Sequence, residues 1–127
     1  MTSKDNSLNW FEISVSDISR AKTFYGTIFG ITMDQQEMMG MKMAGFPSDN
    51  MNGKVGGSLV ESATHKPSAD GAKIYLNANP DMVNVLAKVE QAGGKIVMPK
   101  TKISDEIGFM AFIIDTEGNN IGLHSNK

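Results

Sequence analysis

The strongest constraint on this chain is that its pattern occurs twice. The segment "SDISRAKTFYGTIFG" offers Ser16 or Asp17 as a helix N-cap, sets Ile18, Ala21, Phe24, Tyr25, Ile28 and Phe29 on one stripe, and closes on Gly30. Further on, "NPDMVNVLAKVEQAGGKIVM" repeats the plan, with Met82, Val85, Leu86, Val89 and Ala92 as the stripe and Gly93-Gly94 as the stop. Sliding the chain by 64 residues lays Asp17 on Asp81, Ile18 on Met82, Ala21 on Val85, Tyr25 on Val89, Gly30 on Gly94 and Met33 on Val97. Few of these pairs are identical. Caps, stripes and stops nevertheless coincide, which is the signature of an internal duplication.

Each half reads as strand, helix and three further strands. Before the first helix, "LNWFEISVS" alternates, with Phe11, Ile13 and Val15 on one side and Trp10, Glu12 and Ser14 on the other. The second helix is preceded by a shorter strand candidate, "AKIYLNA". The remaining strands are expected near 31–34, 37–46 and 54–61, and near 95–99, 107–115 and 119–125. The stretch "ESATHKPSADG" has turn-forming residues without periodicity and reads as the joint. The expectation is a single α+β domain over 1–127, with module 1 at about 8–61, a linker at about 62–71 and module 2 at about 72–125. One helix can cover only one face of a four-stranded sheet. Two βαβββ modules are therefore expected to form a curved sheet around a cleft, helices outside, with the residues opposite the helix-facing ones lining the cleft.

Composition narrows the partners. A net charge of −2, a charged fraction of 20% and one arginine among twelve basic residues provide no field for nucleic acid or an anionic membrane. The absence of cysteine excludes disulfides, thiol nucleophiles and thiolate metal sites. No apolar run approaches the roughly 18 residues of a membrane span, so a cytoplasmic location is expected.

The stretches "FEISVSDISRAKTFYGTIFG", "VEQAGGKIVMP" and "IDTEGNNIGLHS", taken with the duplication, resemble the vicinal oxygen chelate superfamily, which includes glyoxalase I, bleomycin-resistance proteins and extradiol dioxygenases. The resemblance covers residues 9–125 and is most similar to small glyoxalase-related proteins. Its D-x-x-R-A-x-x-F-Y and D-x-x-G-N phrases belong to the fold and carry little chemistry. In metal-using members, four equivalent strand positions supply His, Glu or related ligands to one divalent ion. Carried over, they fall on Trp10, Ser58, Ile74 (or Lys73 if the register is off by one) and Gly122, the last standing where the phrase normally has Glu. None of these is a good ligand for zinc, nickel, iron or magnesium. The resemblance therefore implies the fold without the ion, and no cofactor is expected.

Glu12 and His124 lie two residues beyond Trp10 and Gly122 and share their sides of the strands. They could form an acid/base pair or ligate a displaced metal; alternatively, Glu12 meets a local donor and His124 caps a strand. Trp10 is either a stacking platform or a core plug. The run "MMGMKM" reads as strand filler, His65 as a solvated linker residue and Arg20 as a local partner of Asp17. Whether Tyr75 and Asn77 or Ile74 and Leu76 face the cleft depends on an unfixed register. Neither Gly56-Gly57 nor Gly93-Gly94 opens a helix as a phosphate loop would, and no G-x-S-x-G or catalytic triad is evident. The expected function is metal-free binding of a small organic ligand in the cleft, with contacts from Trp10, Glu12, Ser58, Ile74, Gly122 and His124. The alternative is a glyoxalase-related lyase or isomerase moving a proton through Glu12 and His124. A homodimer is expected from the resemblance and from the frequency of isologous dimers.

Overall fold

Alternating polarity at the start of the chain forms β1 (Trp10–Ser14), with Ile13 buried on one face and Trp10 and Glu12 exposed on the other. The computed structural model describes all of residues 1–127. Helix α1 (Ile18–Phe29) follows, its N-terminus capped by the Asp17 carboxylate, which accepts the Arg20 N–H at 3.1 Å. Gly30 ends it in the left-handed conformation, at φ 63°, that an L side chain adopts reluctantly. Ile18, Ala21, Phe24, Tyr25 and Ile28 are buried as the stripe predicts.

The next segment departs from the reading. Residues 31–34 form no strand, and the expected strand over 37–46 is a hairpin, β2 (Gln35–Met38) and β3 (Met41–Gly45). Met39 (φ 54°) and Gly40 (φ 76°) turn it, both in the left-handed region that two-residue hairpin turns demand. Strand β4 (Gly56–Glu61) pairs parallel with β1 and antiparallel with β3, giving the order β1-β4-β3-β2. The second half repeats this plan with β5 (Tyr75–Asn77), α2 (Val83–Val89), β6 (Lys95–Ser104), β7 (Gly108–Ile114) and β8 (Asn120–Ser125), in the order β5-β8-β7-β6. Helix α2 is shorter than the stripe from Met82 to Ala92 predicts. Asp81 precedes it and accepts the Val83 N–H at 3.0 Å.

The α+β architecture of two βαβββ modules is as expected, realised as two four-stranded sheets with no ladder between them. The helices cover one face of each sheet and touch one another, so one core draws on both halves: Ile13, Tyr25 and Leu59 from the first, Val85, Ile113 and Leu123 from the second. Each such buried aliphatic or aromatic side chain contributes about 1.5–3 kcal/mol. The opposite face of each sheet is left open. No helix is long and apolar enough to cross a membrane.

The D-x-x-G-N phrase locks the halves together. Asp115, buried beyond β7, accepts the Tyr25 hydroxyl at 2.7 Å, the Asn119 side-chain amide at 3.0 Å, and the N–H groups of Glu117 and Asn119 at 2.9 Å each. The same Asn119 amide donates to the Ser14 carbonyl at 2.8 Å. Glu117 accepts the N–H groups of Ser16 and Asp17, both at 2.9 Å, and the Arg20 guanidinium at 2.7 and 3.0 Å. Arg20 is thus an inter-module clamp, not the local partner of Asp17 that sequence proximity suggests.

Candidate functional site

On the first sheet, the β1–β4 register sets Glu12 beside Ser58 and Trp10 beside Gly56. Strand alternation turns Trp10, Glu12 and Ser58 away from the helices, onto the open face. Trp10 is 43% exposed, so its ring plugs no core. Its indole N–H donates to Glu12 Oε2 at 3.3 Å. The other carboxylate oxygen, Oε1, lies 2.8 Å from His65 Nε2, and His65 Nδ1 lies 2.7 Å from Ser62 Oγ. His65 is therefore not a free linker residue. A turn between Ser62 and His65 folds the linker back onto β1, bringing together groups 53 positions apart.

On the second sheet, Gly122 stands opposite Tyr75 and His124 opposite Asn77. This resolves the register: Tyr75 and Asn77 take the open face, and Ile74, the residue predicted for it, packs against the core. A Cβ on Gly122 would come within 2.7 Å of the Tyr75 ring, so the space a longer side chain would use there is already filled. His124 Nε2 lies 2.7 Å from the Ile107 carbonyl and donates to it. Glu12 and His124 sit on different sheets with different partners, and the structure does not join them as a pair.

Two buried polar atoms lack partners, Ser58 Oγ and Asn120 Oδ1. Both belong to open-face positions, since Leu59, Ile121 and Leu123 beside them face the core. Asn120 lines a cavity of about 130 Å³ with Glu12, Ser14 and Ile74, beneath linker residues Lys66 and Ser68. Such orphan groups call for a water or a ligand atom. Sequence reasoning missed Asn120 and His65. It also missed a groove of about 610 Å³ at the seam of the two halves, where Phe11, Phe29, Phe46 and Leu76 meet Lys54 and Asn77.

The residues at the four superfamily metal positions do not fit a divalent ion. Indole, hydroxyl and hydrogen stand where imidazole or carboxylate is needed, the remaining place is taken by the Tyr75 phenol and not by Ile74, and no three or more His, Asp or Glu side chains are grouped so as to hold a metal ion.

Two βαβββ modules with their helices on one side and open faces on the other are the fold seen in solved glyoxalases and bleomycin-resistance proteins. Residues 8–47 match the family described as bleomycin resistance protein-like N-terminal. The chain is 30% identical over 118 residues to CFP32 of Mycobacterium tuberculosis, a protein designated a candidate glyoxylase; the alignment covers 91% of this chain and 44% of that protein. The chain thus spans less than half the length of the curated relatives it matches. Among solved structures, a glyoxalase/bleomycin resistance protein from Albidiferax ferrireducens superposes with TM-score 0.68 at 16% identity, covering 96% of this chain and 100% of that one. Glyoxalase I from Zea mays superposes with TM-score 0.66 at 20% identity, covering 93% and 44%.

Proposed function

We propose that the chain binds a small, partly apolar organic molecule on its open face without a bound metal, in the manner of bleomycin-resistance proteins. The observation that carries this reading is the open face itself. It presents the exposed Trp10 indole and Tyr75 phenol, with the partnerless Ser58 Oγ at one of the positions where metal-using relatives place ligands and the partnerless Asn120 Oδ1 two residues before another. Trp10, Glu12, Ser58, Gly122 and His124 are the proposed contacts, with Tyr75 in the place predicted for Ile74. A homodimer is part of the proposal, resting on the superfamily's habit and on the two uncovered sheet faces.

The test is a titration of the full chain with a panel of aromatic and thiol-conjugate compounds, read by Trp10 emission and calorimetry. Binding at the open face shifts the emission. Heat without an emission change would relocate the site to the seam groove, which Trp10 does not line. Elemental analysis of chelator-free protein is expected to find less than one transition metal per chain, and one tightly held zinc, nickel or iron would overturn the metal-free reading. The second reading is a glyoxalase-related lyase or isomerase moving a proton through Glu12. What favours it is the imidazole in contact with that carboxylate, although this comes from His65 and not from His124.

A further inference from the structure

We propose that Ser62, His65 and Glu12 form an acyl-transfer relay in which Ser62 is a nucleophile toward small carboxylic esters. The three groups stand in line: Ser62 Oγ 2.7 Å from His65 Nδ1, and His65 Nε2 2.8 Å from Glu12 Oε1. The proton positions follow from what each atom can do. An ionised carboxylate only accepts, so His65 Nε2 carries the hydrogen directed at Glu12. In the neutral ring Nδ1 is then an acceptor, and the proton between it and Ser62 must come from the serine hydroxyl. The Thr64 N–H, 3.2 Å from Ser62 Oγ, donates to that oxygen and occupies one of its lone pairs. Nucleophile, base and orienting carboxylate in this polarity are the general signature of an activated serine, recognised by geometry and role and not by position in the chain.

The surroundings suit the chemistry. The His65 and Glu12 side chains are only 19% and 33% exposed, and the Trp10 indole N–H steadies the second carboxylate oxygen. Ser62 and His65 open onto a surface pocket of about 480 Å³ that Lys42 and Lys66 also line. Lys42 lies 3.6 Å from Glu61, whereas Lys66 makes no ion pair. Glu61 lines the same pocket and offsets Lys42, so the Lys66 ammonium is the positive charge available to the oxyanion that develops during acyl transfer.

In the reaction, Ser62 Oγ bonds to the ester carbonyl carbon as its proton passes to His65 Nδ1. The carbon–oxygen bond to the alcohol then breaks, and the departing oxygen takes the proton from Nδ1. Water next adds to the acyl-serine, giving a proton to His65, and collapse returns that proton to Ser62 Oγ as the carboxylic acid leaves.

The experiment treats the full chain with a fluorophosphonate probe and maps adducts by peptide mass spectrometry, with p-nitrophenyl acetate hydrolysis followed in parallel. The expected adduct is on Ser62, absent from Ser62→Ala, and formed about a hundredfold or more slowly in His65→Gln and in Glu12→Gln. Glu12→Gln keeps the shape of the relay and carries the test if His65→Gln melts early. Wild-type protein that stays unlabelled at Ser62, or folded Glu12→Gln labelled at the wild-type rate, would show the three residues to be only a staple for the linker.

Discussion

Trp10 separates a working surface from a filled one because its ring is already wet. Trp10→Ala is expected to cost clearly less than the about 3–5 kcal/mol of a core tryptophan, because 43% of the residue is already exposed; thermal melts of both proteins decide. Tyr25 is the opposite case. Burial, then the charge of Asp115, then the hydrogen bond to it hold the phenol well above its ordinary range, so it remains a neutral donor. Tyr25→Phe leaves Asp115 one donor short inside the core and should cost about 1–3 kcal/mol in a urea unfolding curve. Much of this was legible from alternation alone, which placed Trp10, Glu12, Ser58, Gly122 and His124 on the faces where they lie. Alternation could not supply phase across a three-residue strand, so Tyr75 displaced Ile74. Nor could it reveal that a turn in an aperiodic linker brings His65 to Glu12, since nothing local in either segment encodes the other.

Helix α1 was readable because cap, stripe and stop agree within one continuous segment. The β2–β3 hairpin was not, because methionine is an unusual occupant of a left-handed turn and the surrounding "MMGMKM" conceals it. What anchors α1 lies far along the chain, and it responds to acid. Burial alone would raise the Glu117 carboxyl, but the Arg20 guanidinium, the Asp17 N–H, the Thr116 hydroxyl and the Ser16 N–H outweigh it and hold the group below its ordinary value of 4.5. A depressed carboxylate contributes stability that is fully present above the unfolded value and is lost as pH falls through the folded one. Unfolding free energy measured across a pH series should therefore decline below about 4.5 in the wild type. Arg20→Ala should flatten that decline and lower stability at neutral pH. An unchanged slope would mean that the ion pair contributes nothing beyond the backbone donors.

Both halves share one core, so the chain should unfold in a single transition, with fluorescence and far-ultraviolet circular dichroism melts coinciding. Light scattering on a sizing column is expected to return about twice the chain mass of 13.7 kDa. A value of one chain mass at micromolar concentration would remove the dimer from the proposal. The bracket built on Asp115, Glu117 and Asn119 also bears on how the protein is made. It reaches Tyr25 across 90 positions, Arg20 across 97 and Ser14 across 105. A nascent chain that has not yet exposed residues 115–119 holds a first module whose hydroxyl, guanidinium and edge carbonyl have no mates, and whose helix has no α2 to lean on. Contacts this distant must wait for loop closure. The first module then waits without its mates from the completion of β4 until residues 115–119 emerge, and a chaperone would meet it as an open sheet with an uncovered helix.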